Sequence, residues 1–351
     1  KGFEVLSITD VLATADAAYD VSKIAGITSF KAADGITTAE AARVFNLGVN
    51  STVELAGAAA NDGTLTADLK TNTTADTMTL KLNKDYDDDN TTADTVTALH
   101  TVVAATVETL NVVSTGNNVV TTPTTPTTYK ADVLKNTLTL TGSNELTSLV
   151  VSGDKELSFT STAAMTKLAT IDASANTAGV TIDAKAALAT SVALTIKGTA
   201  KADTITGGKL GDTITLGTGN DTVDYSTVGT ISKIGTGKFD TITDFIANTV
   251  GDVSTGAVKA NTDSTKWNGD VLKFDAFGAG ATAGAKVDVL ASAADATTFL
   301  ANNASVAGGI TAALDSTNSN LYVDNTGDGV ADFYIHLAGV KTIDAAAFLV
   351  I

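Results

Sequence analysis

The stretch that most constrains the fold is Gly198 to Asp224, which reads GTAKADTIT, GGKLGDTIT, LGTGNDTVD. Three nine-residue units run head to tail, with Asp203, Asp212 and Asp221 at one position and Ile205, Ile214 and Val223 two places later. The glycines and Asn220 permit a tight turn with positive φ. The residues after each Asp form a minimal strand that sends one apolar side chain inward. A strand that short cannot bury its face alone, so successive units have to stack. Two units then make one flattened coil of about 18 residues, and Asp203 and Asp221 fall on the same edge.

Stacking brings the carboxylates of neighbouring coils together, which is unfavourable unless a cation lies between them. Ca²⁺ suits such a place, because it accepts six to eight oxygens in flexible geometry whereas Mg²⁺ keeps its waters. The turn residues Gly207, Gly208, Gly217 and Gly219 add carbonyl oxygens to Asp203, Asp212 and Asp221. Leu210, Leu216 and the segment Thr199-Ala200-Lys201 dilute the pattern, so one or two well-formed sites are expected and not a long array. The period breaks after Asp224 and resumes at Gly235-Thr-Gly-Lys-Phe-Asp240-Thr-Ile-Thr-Asp244-Phe245, then at Gly269-Asp270-Val-Leu-Lys-Phe274. Each places an Asp before an alternating strand and can complete a site left half-built by the repeats. No Asp occurs between Tyr225 and Thr230, which leaves Asp212 without an evident partner. Leu321 to Phe333 reads as strand, acidic glycine turn and strand, open to two readings: a plain hairpin, or a further calcium loop through Asp324 and Asp328.

Upstream, a six-residue pattern recurs at Ile27–Ala32, Val107–Val112, Leu146–Val151 and Met165–Thr170. Its order of apolar, polar, polar, apolar followed by alternation reads as a corner leading into a strand. Residues from about 100 to 224 are therefore expected to form one right-handed parallel β-solenoid. The expected layout is a β-rich segment at 1–100, solenoid at 101–197, calcium-binding roll and capping strands at 198–290, and a secretion-signal-like region at 291–351. Thr37-Thr38-Ala39-Glu40 is a capping box that predicts a helix to Asn46, stopped at Gly48. Ser292 to Asn303 also reads as helix. Asp85 to Asn90 is either a solvated acidic loop or an additional Ca²⁺ site, and the proline-bearing Thr121 to Thr128 is an extended loop or linker.

A formal net charge of −17, with Arg43 the sole arginine, argues against nucleic acid and anionic membrane as partners. The chain has no cysteine, which removes thiol catalysis and a disulfide framework. No apolar run is long enough to span a bilayer, and no signal peptide stands at Lys1, as in a fragment or a processed chain. The two histidines, His100 and His336, form no H-E-x-x-H zinc site, and no G-x-S-x-G elbow occurs. Both histidines read as surface residues, and the chain as no enzyme.

The nonapeptides, the FDTITDF and GDVLKFD strands, the LYVDNTGDGVADFYIHLAG hairpin and the apolar tail together resemble the C-terminal region of RTX proteins exported by type I secretion, over residues 198–351. The resemblance implies that Asp203, Asp212 and Asp221 bind Ca²⁺ with turn carbonyls, and that Asp240 and Asp270 hold the matching positions of the following strands. Residues 1–197, rich in Ala and Thr, are similar to bacterial surface-layer proteins that carry such repeats. Together these imply a secreted structural subunit that assembles with copies of itself on the cell surface. Its partners would be the type I secretion machinery and outer-membrane lipopolysaccharide, the latter through an upstream region. An RTX adhesin, or the non-catalytic calcium module of a secreted hydrolase, is the alternative. A carbohydrate-binding solenoid would carry threonine ladders, and the sequence places its threonines in no clean register.

Overall fold

The structure, a computed structural model, describes residues 4–12, 17–37, 40–57, 63–86, 95–118, 133–162, 165–186, 192–226, 239–252, 259–260, 264–274, 285–303, 310–324 and 327–350. It divides into two compact units, Lys1–Ala187 and Leu188–Ile351. Residues 38–39, 87–90, 121–128, 227–230, 235–238 and 325–326 of the segments read above lie outside the described residues.

In the first unit, successive strands alternate between two parallel sheets, so the chain winds as a β-solenoid. One sheet runs from Val5–Ile8 through Ser29–Ala32, Thr52–Gly57, Thr77–Tyr86, Thr109–Asn118 and Ser148–Gly153 to Thr170–Asn176. The other runs from Ala17–Asp20 through Ala41–Leu47, Thr64–Leu69, Thr95–Val103, Val133–Leu140 and Glu156–Thr160 to Val180–Asp183. Period-two alternation points one set of side chains inward, and the parallel register stacks them in columns. Phe30 lies beside Val53 and Val53 beside Leu80; Met78, Leu110, Leu149 and Ile171 follow in the same way. Each is fully buried. Three of the four predicted corners hold, with Val107, Leu110, Val112, Leu146, Leu149, Val151, Met165 and Leu168 all buried; at the first, Phe30 and Ala32 are buried but Ile27 is only half-buried.

Three expectations are corrected. The winding begins at Val5, well before the position where the corner pattern becomes regular. The helix predicted over residues 37–46 is absent. The Glu40 amide donates to the Thr37 carbonyl, and from Ala41 the chain runs as the strand Ala41–Leu47, which buries Ala42, Val44 and Leu47. Pairing with strands on both sides supplies ladder hydrogen bonds and an apolar column, which outweighs a local capping signal. The threonines, finally, do fall in register. Thr64, Thr101, Thr139 and Thr160 form one outward column, and Thr137, Ser158 and Thr181 the next.

In the second unit the strands shorten to three residues through the nonapeptides. Thr195–Lys197, Thr213–Thr215 and Thr241–Ile242 stack in one sheet; Thr204–Thr206, Thr222–Asp224, Val271–Phe274 and Phe348–Val350 stack in the other. Each short strand of the repeats buries its central apolar residue, Ile196, Ile205, Ile214, Val223 and Ile242 in turn. The first sheet continues beyond Thr241–Ile242 into Phe333–Leu337, which opens an antiparallel run through Asn320–Asp324 to Ile310–Asp315. The predicted helix is present as Ala293–Asn302, with the Ser292 hydroxyl accepting from the Asp295 amide as its N-cap. Among the described residues no helix is long and apolar enough to cross a membrane.

Candidate metal centre

The three-residue strands leave every second turn on the same edge, and the Asp before each strand points back along it. Two carboxylate ladders result. On the first edge Asp212 Oδ1 accepts the Leu194 amide at 2.7 Å, and Asp240 Oδ1 accepts the Asp212 amide at 2.8 Å. On the second, Asp221 Oδ1 accepts the Asp203 amide at 2.8 Å, and Asp270 Oδ1 accepts the Asp221 amide at 3.1 Å. The residue missing between Tyr225 and Thr230 is thus replaced by Asp240, and the coil after Asp221 is closed by Asp270. Both were legible as Asp-before-strand echoes; that they belong to different edges was not.

The turns brace the same carboxylates. Asp203 accepts from the Thr199 amide at 2.6 Å and the Thr199 hydroxyl at 3.0 Å, Asp212 from the Gly208 amide at 2.6 Å, and Asp270 from the Ile246 amide at 2.7 Å. Asp244 accepts from the Leu216 and Gly217 amides at 2.8 and 2.9 Å and so seals the third nonapeptide turn. Gly217 and Gly219 hold φ of 102° and 145°. A Cβ at Gly217 would strike the Thr199 carbonyl oxygen of the coil below. Gly207 and Gly208 sit in the turn that ends on Asp212.

The two ladders bury five acidic groups. Asp203, Asp212, Asp221, Asp240 and Asp270 are each at most 3% exposed. Burial raises Asp212 and Asp270 to about 6, the latter also under the field of Asp244. Burial raises Asp221 to about 7, with the carboxylates of Asp270, Asp203 and Asp244 adding to the rise. Burial, then the Asp212 charge, drives Asp240 well above the carboxylate range, beside the buried Tyr225 hydroxyl. Asp221 Oδ2 is buried and accepts no hydrogen bond. Anions removed from water without cationic partners are costly, so the ladders hold their full negative charge only when something positive joins them.

The donor set is all oxygen, carboxylate and turn carbonyl, which fits a hard cation of the calcium type. Among the described residues no three acidic or histidine side chains converge as a ready-made cage. A bound ion would therefore take Asp221 Oδ2 and free lone pairs of its neighbours, with turn carbonyls completing the shell. Asp324 and Asp328 stand apart from this arrangement. Asp324 accepts the Gly327 and Gly329 amides at 2.6 and 2.8 Å and braces its own hairpin turn, while Asp328 accepts the Val330 amide at 2.9 Å. Asp85 sits at a strand end, taking a hydrogen bond from Asn117 at 2.8 Å.

Sequence reasoning missed the aromatic stack that supports the ladders. Tyr225 stacks on Phe274 at 5.5 Å between centroids, and Phe274 on Phe348 at 6.1 Å. It also misplaced His100, which is 1% exposed in the core of the first unit. The inward position within the TVTALHTVV alternation was the available signal.

Fold and site together define a parallel β-solenoid with buried carboxylate ladders along its coil edges. No protein-family model matches the chain, and no curated protein does.

Proposed function

We propose that the protein is a structural subunit of a bacterial surface layer, secreted and then folded and assembled on binding Ca²⁺. The observation that carries the reading is the pair of Asp ladders, in which Asp212 and Asp240 on one edge and Asp203, Asp221 and Asp270 on the other are buried and Asp221 Oδ2 lacks any donor. Because the ladders exist only when the coils are stacked, binding free energy at them is folding free energy. Affinities of the order of 10⁻⁴ to 10⁻³ M, common in extracellular calcium modules, would leave the chain unfolded where calcium is scarce and fold it outside the cell.

The test is circular dichroism and electron microscopy of the purified chain in calcium and in EGTA. Loss of strand signal in EGTA, and a two-dimensional lattice in calcium only, are expected. A chain equally folded in both would overturn the calcium reading, and dispersed particles in calcium the lattice reading. The threonine columns on the first unit favour one second reading, a calcium-dependent adhesin whose flat hydroxyl face binds polysaccharide. Retention of dispersed protein on a glycan matrix would select it.

A further inference from the structure

Inside the first unit one polar chain crosses the apolar core. His100 Nε2 lies 3.1 Å from Asn136 Oδ1, and Asn136 Nδ2 donates to Ser114 Oγ at 2.9 Å and to the Thr115 carbonyl at 3.1 Å. Ser114 Oγ donates in turn to the Glu156 carbonyl at 3.2 Å. His100, Asn136 and Ser114 are at most 1% exposed. The links join Thr95–Val103, Val133–Leu140 and Glu156–Thr160 of one sheet to Thr109–Asn118 of the other.

The network fixes the tautomer. Both Asn136 amide hydrogens are committed, so its oxygen accepts and His100 Nε2 carries the ring proton. Nδ1 is then a bare lone pair, and it has no hydrogen-bond partner. We infer that His100 makes the first unit acid-responsive: a proton arriving at Nδ1 places an unpartnered cation in the core and opens the coils that carry it.

Among the described residues no carboxylate is bonded to the ring: Asp76 and Glu108 are buried at a corner, where Glu108 accepts the Asp76 amide, and Glu40, whose Oε2 is buried without a hydrogen-bond partner, lies in the row of His100 but two strands away, beyond Gly63. Lys135, Asp68, Lys81 and Glu156 stand at outward positions of their strands. Asp68 is paired with Arg43, and Lys81 with Glu54. The charge that acts on the ring is Lys84, of the same sign as a protonated histidine. Burial first, then Lys84, lower His100 to about 4, against the hydrogen bond that the ring donates to Asn136. The sign follows. Above the ordinary value of 6.5 the ring is neutral folded and unfolded; below it the unfolded chain takes the proton first, so stability falls until pH drops through about 4. Between pH 7.5 and 4.5 these two values raise the opening constant roughly 70-fold.

The experiment is hydrogen exchange on the full chain at a fixed calcium concentration, with intrinsic rates corrected, comparing pH 7.5 with pH 4.5. In the parent, amides of Thr95–Val103 and Val133–Leu140 are expected to open roughly 70-fold more at the lower pH. The variant His100→Gln keeps a donor for Asn136 and cannot titrate, and it should lose most of that ratio. An equal ratio in both proteins, or no rise in the parent, overturns the inference. Should His100→Gln not fold, ¹⁵N spectra of the parent decide, since only two histidines are present. A buried ring in the Nε2–H form down to about pH 4 supports the inference; titration near 6.5 overturns it. The inference is independent of the calcium reading, because the exchange is read on strands of the first unit alone.

Discussion

The effect of replacing Asp221 by Asn reverses sign with calcium. The substitution keeps Oδ1 as acceptor for the Asp203 amide, 2.8 Å away, and removes the charge. In the metal-free protein Asp221 is raised from 3.8 to about 7 by burial and by Asp270, Asp203 and Asp244. For an acid raised in this way, the unfolded chain ionises first, so stability is intact below pH 3.8 and is lost as pH rises through about 7. At roughly 1.4 kcal/mol for each tenfold in proton affinity, the loss is about 4 kcal/mol by pH 8, or about 2–3 kcal/mol after solvent screening. The amide of the variant cannot ionise and escapes this loss. In EGTA at pH 8 the variant should therefore keep strand signal that the parent loses, the folding equilibrium of its nonapeptide coils being shifted by about 2–3 kcal/mol relative to the parent. In millimolar calcium the order should invert, because the parent gains an ion there and the variant binds it more weakly. At pH 3.5 in EGTA the two should coincide. A variant that is neutral or weaker in EGTA, or that gains as much from calcium as the parent, would refute the claim that Asp221 is held as an uncompensated buried charge.

Three further outcomes follow from the same geometry. Calcium added at pH 6 in weak buffer should release protons, since Asp212 and Asp270 stand at about 6 without metal and must ionise to bind it; a pH electrode reads this, and silence counts against carboxylate ligation. Gly217→Ala, at φ 102° and against the Thr199 carbonyl, should cost about 2–4 kcal/mol in thermal or urea unfolding. Phe274→Ala removes the middle ring between Tyr225 and Phe348, should cost about 3–5 kcal/mol, and should make the C-terminal strand Phe348–Val350 an early site of limited proteolysis. A variant with an unchanged digestion pattern would show that the stack does not hold that strand.

The winding of the nonapeptides was legible in the residues alone. Nine-residue spacing of Asp203, Asp212 and Asp221, with one apolar residue after each, leaves no other way to bury Ile205, Ile214 and Val223, and the structure buries all three. The corners at Leu146 and Met165 were legible too, because apolar spacing reports which residues leave water. Three other features depend on pairing between distant coils. Ala41–Leu47 became a strand, since the partners that complete its ladder lie some twenty residues away on either side. Asp212 met Asp240 across 28 residues and Asp221 met Asp270 across 49, separations that no period encodes. And His100 entered the core, where the contribution of one inward position depends on Asn136, which only the stacking of coils brings alongside. Local spacing dictates which side chains must be hidden; which of them meet is set by loop lengths between coils, and those vary freely at the edges of a solenoid.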